Sequence, residues 1–253
     1  MCGFFSIFST NEIDDNLVNE AREACYSMKV RGPDDYSEYR KENYFSLFNR
    51  LAIRDLTDAS RQPFITSSGR YVFSFNGEIY SFKNKSIKSN NNKSDTIQLS
   101  KLIEKYGVEA FDYIKGMFSI CLYDESNKTL FVTRDPLGIK PLFYSKLEKN
   151  GSTIFIISST ANAILNFSNS SVDDRQIFRF LKMGISSDTK NTFYKNVKRL
   201  SPGSILKIDF SGNFSFRNLK DNVKNLDLKS NNNYSKKEHA HFLNKIFKEH
   251  LVA

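Results

Sequence analysis

A cysteine stands directly behind the initiator methionine in MCGFFSIF. Read as structure, Cys2 is a small apolar residue at the start of a strand. Read as chemistry, loss of Met1 would put a thiol and a free amine on one residue. The unperturbed α-amino pKa is about 7.7–8.0 and that of a thiol about 8.5, so the amine can take the thiol proton near neutral pH. Histidine offers no rival base: His239, His241 and His250 all lie in the last fifteen positions. A Ser-His-Asp or Cys-His machine within residues 1–215 is therefore excluded. The other cysteines, Cys25 and Cys121, sit inside apolar patterns and are expected as buried small hydrophobes. With no CxxC or Cys/His spacing, neither a disulfide framework nor zinc is expected, and no metal site is predicted.

Further residues carry chemistry-bearing types, and each has a plainer alternative. Asn76-Gly77 in NGEIY follows the strand-like YVFSF. It is either a tight turn or an oxyanion hole, with the Asn76 amide and the Gly77 N–H aimed at a developing alkoxide. Arg50 closes the apolar stretch YFSLF. It is either a surface ion pair or a bidentate clamp on a carboxylate. Asp95 at a helix start is either an N-cap or a carboxylate that holds an ammonium. An arginine and an aspartate facing one pocket would recognise the two charges of a free amino acid.

The elements that must position these residues follow from periodicity. The chain opens on a strand. An amphipathic helix is expected over 14–28, capped by Asp14 or Asp15, with Leu17, Ala21, Ala24, Cys25 and Met28 on one face. RGPDD (31–35) breaks it. Residues 82–94 read as a polar loop. Ser94 or Asp95 caps a second helix whose apolar face is Ile97 or Leu99, Leu102, Ile103 and Tyr106, stopped by Gly107. Strand-like runs follow at 117–124, 128–135, 141–145 and 152–159. A short helix over 174–183 lies between Asp173 and Gly184. SPGSILKID (201–209) reads as turn and strand, and 217–234 as an Asn/Lys-rich linker. A last helical pattern carries Phe242, Leu243, Ile246, Phe247 and Leu251. This order suits an α+β sandwich, with mixed or antiparallel sheets between helical layers. It has no βαβ alternation, no GxGxxG and no GxxxxGK[ST] loop.

Composition narrows the function classes. The 253 residues are 40% apolar and 14% aromatic, enough for one large core or two modest ones. The net charge of +9 comes from lysines spread among Ser and Asn, which suits a solvated surface and not nucleic acid. No stretch approaches the roughly 20 apolar residues of a membrane span, and MCGFFSIFSTNEIDD lacks signal-peptide order. The expected location is the cytoplasm.

Taken in order, MCGFFSIF, RGPDD, FNRLAIRDL, FNGEIY, SDT, GMFSICLYD, RDPLGIKPLFY and LSPGS resemble the glutamine amidotransferase domain of glutamine-hydrolysing asparagine synthetases. The resemblance implies a four-layer αββα sandwich of the N-terminal-nucleophile hydrolase type, mostly antiparallel, over residues 2–215. It implies that Cys2 attacks the side-chain amide of L-glutamine, with its own amine as base. Asn76 and Gly77 would stabilise the oxyanion, Arg50 the substrate carboxylate and Asp95 its ammonium. Leu51, Ala52, Ile53 and Arg54 would line the site, and Glu78 would complete the amino-group contacts. The chain departs from the family at Ile97, where a glutamate is usual, at Ser81, where an asparagine is common, and in a short Tyr80–Asp95 segment. In the family, ammonia passes to a synthetase domain that uses ATP and Mg to adenylate aspartate. Residues 216–253 are expected to be a linker and the start of such a domain, the rest being absent here. No cofactor is expected in the glutaminase part, and the resemblance admits a homodimer. Two other readings stay open: the same chemistry feeding amide formation on a sugar acid for surface polysaccharide, or a truncated, non-catalytic glutamine-binding subunit.

Overall fold

The computed structural model describes residues 1–53, 55–82, 94–168, 170–185, 190–220 and 235–251. The first sheet is built on β1 (Gly3–Ser9), whose seven residues are all buried. A strand buried on both faces needs apolar residues at successive positions. Phe4 and Phe8 face one neighbour layer, and Phe5 and Ile7 the other. With β2 (Asp35–Arg40), β3 (Tyr44–Arg50), β8 (Phe143–Lys149), β9 (Ser152–Ser158) and β10 (Lys198–Arg199), it forms a six-stranded sheet in the order β10-β8-β9-β1-β3-β2. The second sheet holds β4 (Phe64–Ile65), β5 (Tyr71–Phe82), β6 (Ile114–Asp124), β7 (Thr129–Arg134), β11 (Ser204–Ile208) and β12 (Phe214–Asn218). Its order is β12-β11-β7-β6-β5-β4. The paired strands run antiparallel in both sheets.

Helices cover the outer faces. On the first sheet, α1 (Asp15–Ala24) and α3 (Ala161–Ser168) bury Leu17, Val18, Ala21, Ala163 and Ile164 against Phe5, Ile7, Phe45 and Ile156. On the second, α2 (Asp95–Tyr106) buries Leu99, Leu102 and Ile103 against Phe73, Ile120 and Leu122. Between the sheets lie Phe4, Phe8, Tyr44, Phe48, Val72, Tyr123, Val132 and Leu206, with Tyr44 and Tyr123 stacked at 4.6 Å. The layers are helix, sheet, sheet and helix, the αββα sandwich that the sequence led us to expect.

Local signals set most element ends. The Asp14 carboxylate accepts the Leu17 N–H at 2.7 Å, and the Ser94 hydroxyl accepts that of Ile97 at 3.4 Å. Asp173 caps α4 (Asp174–Met183), and Gly184 ends it in the left-handed region. The first helix is shorter than its apolar pattern. It ends at Ala24, where the Cys25 N–H reaches Ala21 O and Glu23 O, and a 3₁₀ turn over Tyr26–Arg31 carries Met28 into the core. Strands β2 and β12 have no clear sequence signal. One alternates between exposed and half-buried, and the other is exposed throughout. The polar loop expected over 82–94 falls largely on 83–93, and most of the linker expected over 217–234 on 221–234, outside the described residues; the start of that linker is instead the end of β12, with Leu219 packed into the core. Helix α5 (Lys236–Leu251) leaves Phe242, Leu243 and Phe247 exposed. No helix among the described residues is long and apolar enough to cross a membrane.

The longest pairing joins β5 and β6, from Tyr71↔Asp124 to Phe82↔Ile114. It runs so close that a Cβ on Gly116 would stand 2.1 Å from the carbonyl oxygen of Glu78. Backbone cannot move aside as a side-chain tip does. Gly116→Ala is therefore expected to cost about 2 kcal/mol or more, read as a lower urea midpoint at unchanged slope. An unchanged midpoint would show that the two strands can part there without cost.

Candidate active site

Cys2 sits at the mouth of β1, half-buried, with its sulfur 3.4 Å from the Leu51 N–H and 3.5 Å from the Leu51 carbonyl. RGPDD supplies the supports. Arg31 Nε donates to the Cys2 carbonyl at 3.2 Å, and Asp34 accepts the Ala52 N–H at 2.8 Å. One short segment thus fixes both the backbone of the cysteine and the loop that its sulfur touches. Burial holds the Arg31 guanidinium below its ordinary pKa, with the neighbouring Cys2 acting the other way.

The Asn-Gly pair is not a turn. It lies inside the twelve-residue β5, where Asn76 faces Ser119 and Gly77 faces Phe118 of β6. Glycine is required by close approach, since a Cβ on Gly77 would lie 2.2 Å from the Met117 carbonyl. The other edge of β5 is partly bare, because β4 pairs only with Val72 and Phe73. Amides of alternate residues point to the same edge of a strand. The Phe75 N–H donates to Gln62 Oε1 at 2.6 Å, and the Ile79 N–H to Asp95 Oδ2 at 2.9 Å. Gly77 lies between them, so its N–H points to that same edge and opens on the cleft. Asn76 is 2% exposed, and its Nδ2 finds no hydrogen-bond partner among the described residues. A buried amide donor without a partner costs free energy unless something else accepts from it.

Arg50 ends β3 and is 7% exposed. It is not a surface ion pair. Its Nη2 donates to the Asp55 carbonyl and, at 2.8 Å, to the Ser60 hydroxyl, both neutral acceptors. A buried guanidinium held by these two oxygens on the wall of a cleft is suited to receive an anion. Asp95 is 8% exposed and begins α2, but Ser94 caps that helix. The Asp95 carboxylate instead ties α2 to β5 through Ile79.

These residues meet in one cleft. Cys2, Arg50, Leu51, Ala52, Ile53, Asn76, Gly77, Glu78 and Asp95 all line it, and Met1 stands beside Cys2. Arg54 lies outside the described residues. The cleft also takes in Ser60, Gln62, Thr96 and Lys140, which the sequence reading did not single out. Arg31 and Asp34 were within reach, because RGPDD is itself a conspicuous stretch. Gln62 and Thr96 carry no local signal. Among the described residues, no group of His, Cys, Asp and Glu is arranged to hold a metal ion.

The other thiols are withdrawn from solvent. Burial drives the Cys25 thiol well above its ordinary pKa and that of Cys121 up to about 12. Neither is a nucleophile near neutral pH.

Comparison with known proteins adds an independent line. A family model described as a glutamine amidotransferase domain matches residues 1–217. The chain is 32% identical over 197 residues to a glutamine-hydrolyzing asparagine synthetase of Bacillus subtilis, number 2, covering 74% of this chain and 26% of that protein. It is 26% identical over 225 residues to synthetase 1 of the same organism, covering 86% and 35%. The chain thus spans about a quarter to a third of the length of these relatives. Among solved structures, the glutamine phosphoribosylpyrophosphate amidotransferase of B. subtilis superposes with a TM-score of 0.58 at 15% identity, over 87% of this chain and 50% of that one. That likeness concerns the fold.

The burial pattern sets an expectation for thiol chemistry. Iodoacetamide should label the folded protein at Cys2, with Cys25 and Cys121 reacting only after denaturation, as mapped by peptide mass spectrometry. Equal labelling of all three in the folded protein would contradict the packing described.

Proposed function

Because this chain belongs to the glutamine amidotransferase domain family, we propose that it hydrolyses L-glutamine to glutamate and ammonia through a thioester on Cys2. The observation that carries this reading is the pair of hydrogen-bond donors beside the thiol. Asn76, whose Nδ2 has no hydrogen-bond partner among the described residues, and Gly77, whose N–H lies on the unpaired edge of β5, both line the cleft that holds Cys2. Donors placed in advance where negative charge will develop are the main electrostatic device of acyl transfer.

In the proposed reaction, removal of Met1 frees the α-amine of Cys2. The amine takes the thiol proton as sulfur attacks the carboxamide carbon. Charge collects on the amide oxygen, held by Asn76 and Gly77. The amine returns the proton to the departing nitrogen, the C–N bond breaks and ammonia leaves. Water then attacks the thioester and gives a proton to the amine. The C–S bond breaks, glutamate forms and the proton returns to sulfur. Until Met1 is removed, that nitrogen is an amide and cannot act as the base.

Arg50 would bind the substrate carboxylate, while Asp95, helped by Glu78, would bind the ammonium. Leu51, Ala52 and Ile53 would line the substrate. The ammonia acceptor we favour is aspartate, activated with ATP and Mg by a synthetase domain or subunit. The support for this is the identity to glutamine-hydrolyzing asparagine synthetases.

Cys2→Ala should lower glutamine hydrolysis by at least about 10³-fold, as loss of a covalent nucleophile does elsewhere. Intact-mass analysis should find Met1 absent from the active fraction. Hydrolysis retained by Cys2→Ala, or activity in protein that keeps Met1, would sink the mechanism. Arg50→Lys should raise KM for glutamine about tenfold or more with a smaller change in kcat, because lysine cannot form the paired contact. An unchanged KM would remove Arg50 from carboxylate binding.

A further inference from the structure

We propose that Gln62 is a positioning residue for this site: its side-chain amide fixes the distance between the oxyanion edge of β5 and the ammonium-binding end of α2. The inference rests on the glutaminase reading and deepens it.

Gln62 is 6% exposed and lines the cleft. Its Oε1 accepts the Phe75 N–H at 2.6 Å, and its Nε2 donates to the Thr96 hydroxyl at 3.2 Å. Its backbone is anchored separately, since the Gln62 carbonyl accepts from the Ser37 hydroxyl. Both ends of the amide are thus engaged, and both partners adjoin site residues. Phe75 immediately precedes Asn76, and Thr96 immediately follows Asp95.

The contacts close a ring. It runs from Phe75 through the Gln62 amide to Thr96, along the backbone to Asp95, through that carboxylate to the Ile79 N–H, and back along β5. Gly77 lies in the strand segment that closes this ring. A substrate held by its ammonium at Asp95 presents its amide oxygen to Asn76 and Gly77 only if that spacing matches its length. Without Gln62, the start of α2 would keep the Asp95 hydrogen bond and non-directional apolar packing against β5, and the strand could shift against the helix. Oxyanion donors act in the transition state, so their displacement costs turnover more than binding.

The experiment compares glutamine hydrolysis by the wild type with that by Gln62→Leu, which keeps bulk and removes both hydrogen bonds. The kcat should fall about 10- to 100-fold while KM stays within about threefold. The rate of iodoacetamide labelling at Cys2 should not change, because the nucleophile lies on a different strand. Gln62→Glu should recover most of the kcat, since a carboxylate can accept from both the Phe75 N–H and the Thr96 hydroxyl. Thr96→Val, which cuts one arm, should show the same kcat-selective loss to a smaller degree, and it serves if Gln62→Leu does not fold. Wild-type kcat in Gln62→Leu, or in Thr96→Val where that replaces it, would overturn the inference. So would a loss shared by kcat, KM and Cys2 labelling that Gln62→Glu fails to rescue, which marks a merely structural residue. Absence of hydrolysis by the wild type would instead sink the glutaminase reading and this inference with it.

Discussion

A strand that loses its neighbour partway along must find other partners for its amides or leave them open. Strand β5 is in that position, because its pairing with β4 extends no further than Phe73 and the strand continues to Phe82. Its outward N–H groups recur at every second residue. Gln62 takes the one at Phe75 and Asp95 the one at Ile79. The amide between them, at Gly77, opens on the cleft. An edge that proteins usually cover to prevent stray pairing is here covered on both sides of a gap one residue wide. The location of the cleft and the double duty of Asp95 follow from that gap, while the need for glycine at 77 comes from the close approach of β6 on the other side.

The gap would be of little use if the other site residues drifted against it. They are carried by different strands, β1 for Cys2 and β3 for Arg50, in the facing sheet. A row of buried hydroxyls joins these strands to β5. Ser6 of β1 bonds Ser46 of β3 at 2.8 Å, and Ser46 bonds Ser74 of β5 at 3.0 Å. Ser6 lies four residues beyond Cys2, Ser46 four before Arg50 and Ser74 two before Asn76. Apolar packing between sheets is not directional and tolerates small slides. A hydrogen-bonded row does not, because a buried hydroxyl that loses its partner pays the full desolvation cost. The interior polar row therefore fixes the register between sheets near the cleft, while the aromatic residues around it supply the burial.

This division explains what the sequence could disclose. Cap residues and helix faces were legible at α1, α2 and α4, because Asp14, Ser94 and Asp173 act on amides two or three positions away. Buried strands such as β1 were legible from continuous apolar runs. Strands β2 and β12 were not, because their side chains are largely exposed and their pairing is a tertiary matter. Site residues follow the same rule. Cys2, Arg50, Asn76, Gly77 and Asp95 drew notice through side-chain type or motif. Ser60, Gln62 and Thr96 are ordinary polar residues whose importance depends on which strand edge is bare. Asn-Gly shows the limit from the other side: the dipeptide reads locally as a turn, yet its glycine is there for contact with β6.

The proton economy of the proposed reaction ties these features together. A base for the Cys2 thiol must lie within reach of the sulfur, and no histidine occurs before His239 in the sequence. A terminal amine lies on the same residue as the thiol, so one anchored backbone positions nucleophile and base together. That makes the hold on the Cys2 backbone more consequential than it would be in a dyad drawn from two elements. Arg31 supplies it at the carbonyl, and the Phe4 N–H adds a second anchor on Ser159 Oγ at 3.1 Å. Movement of either anchor would displace thiol and amine as a unit, away from the Gly77 gap. In the proposed mechanism, the RGPDD segment and the β5 edge are therefore two halves of one alignment, with the reacting carbon between them.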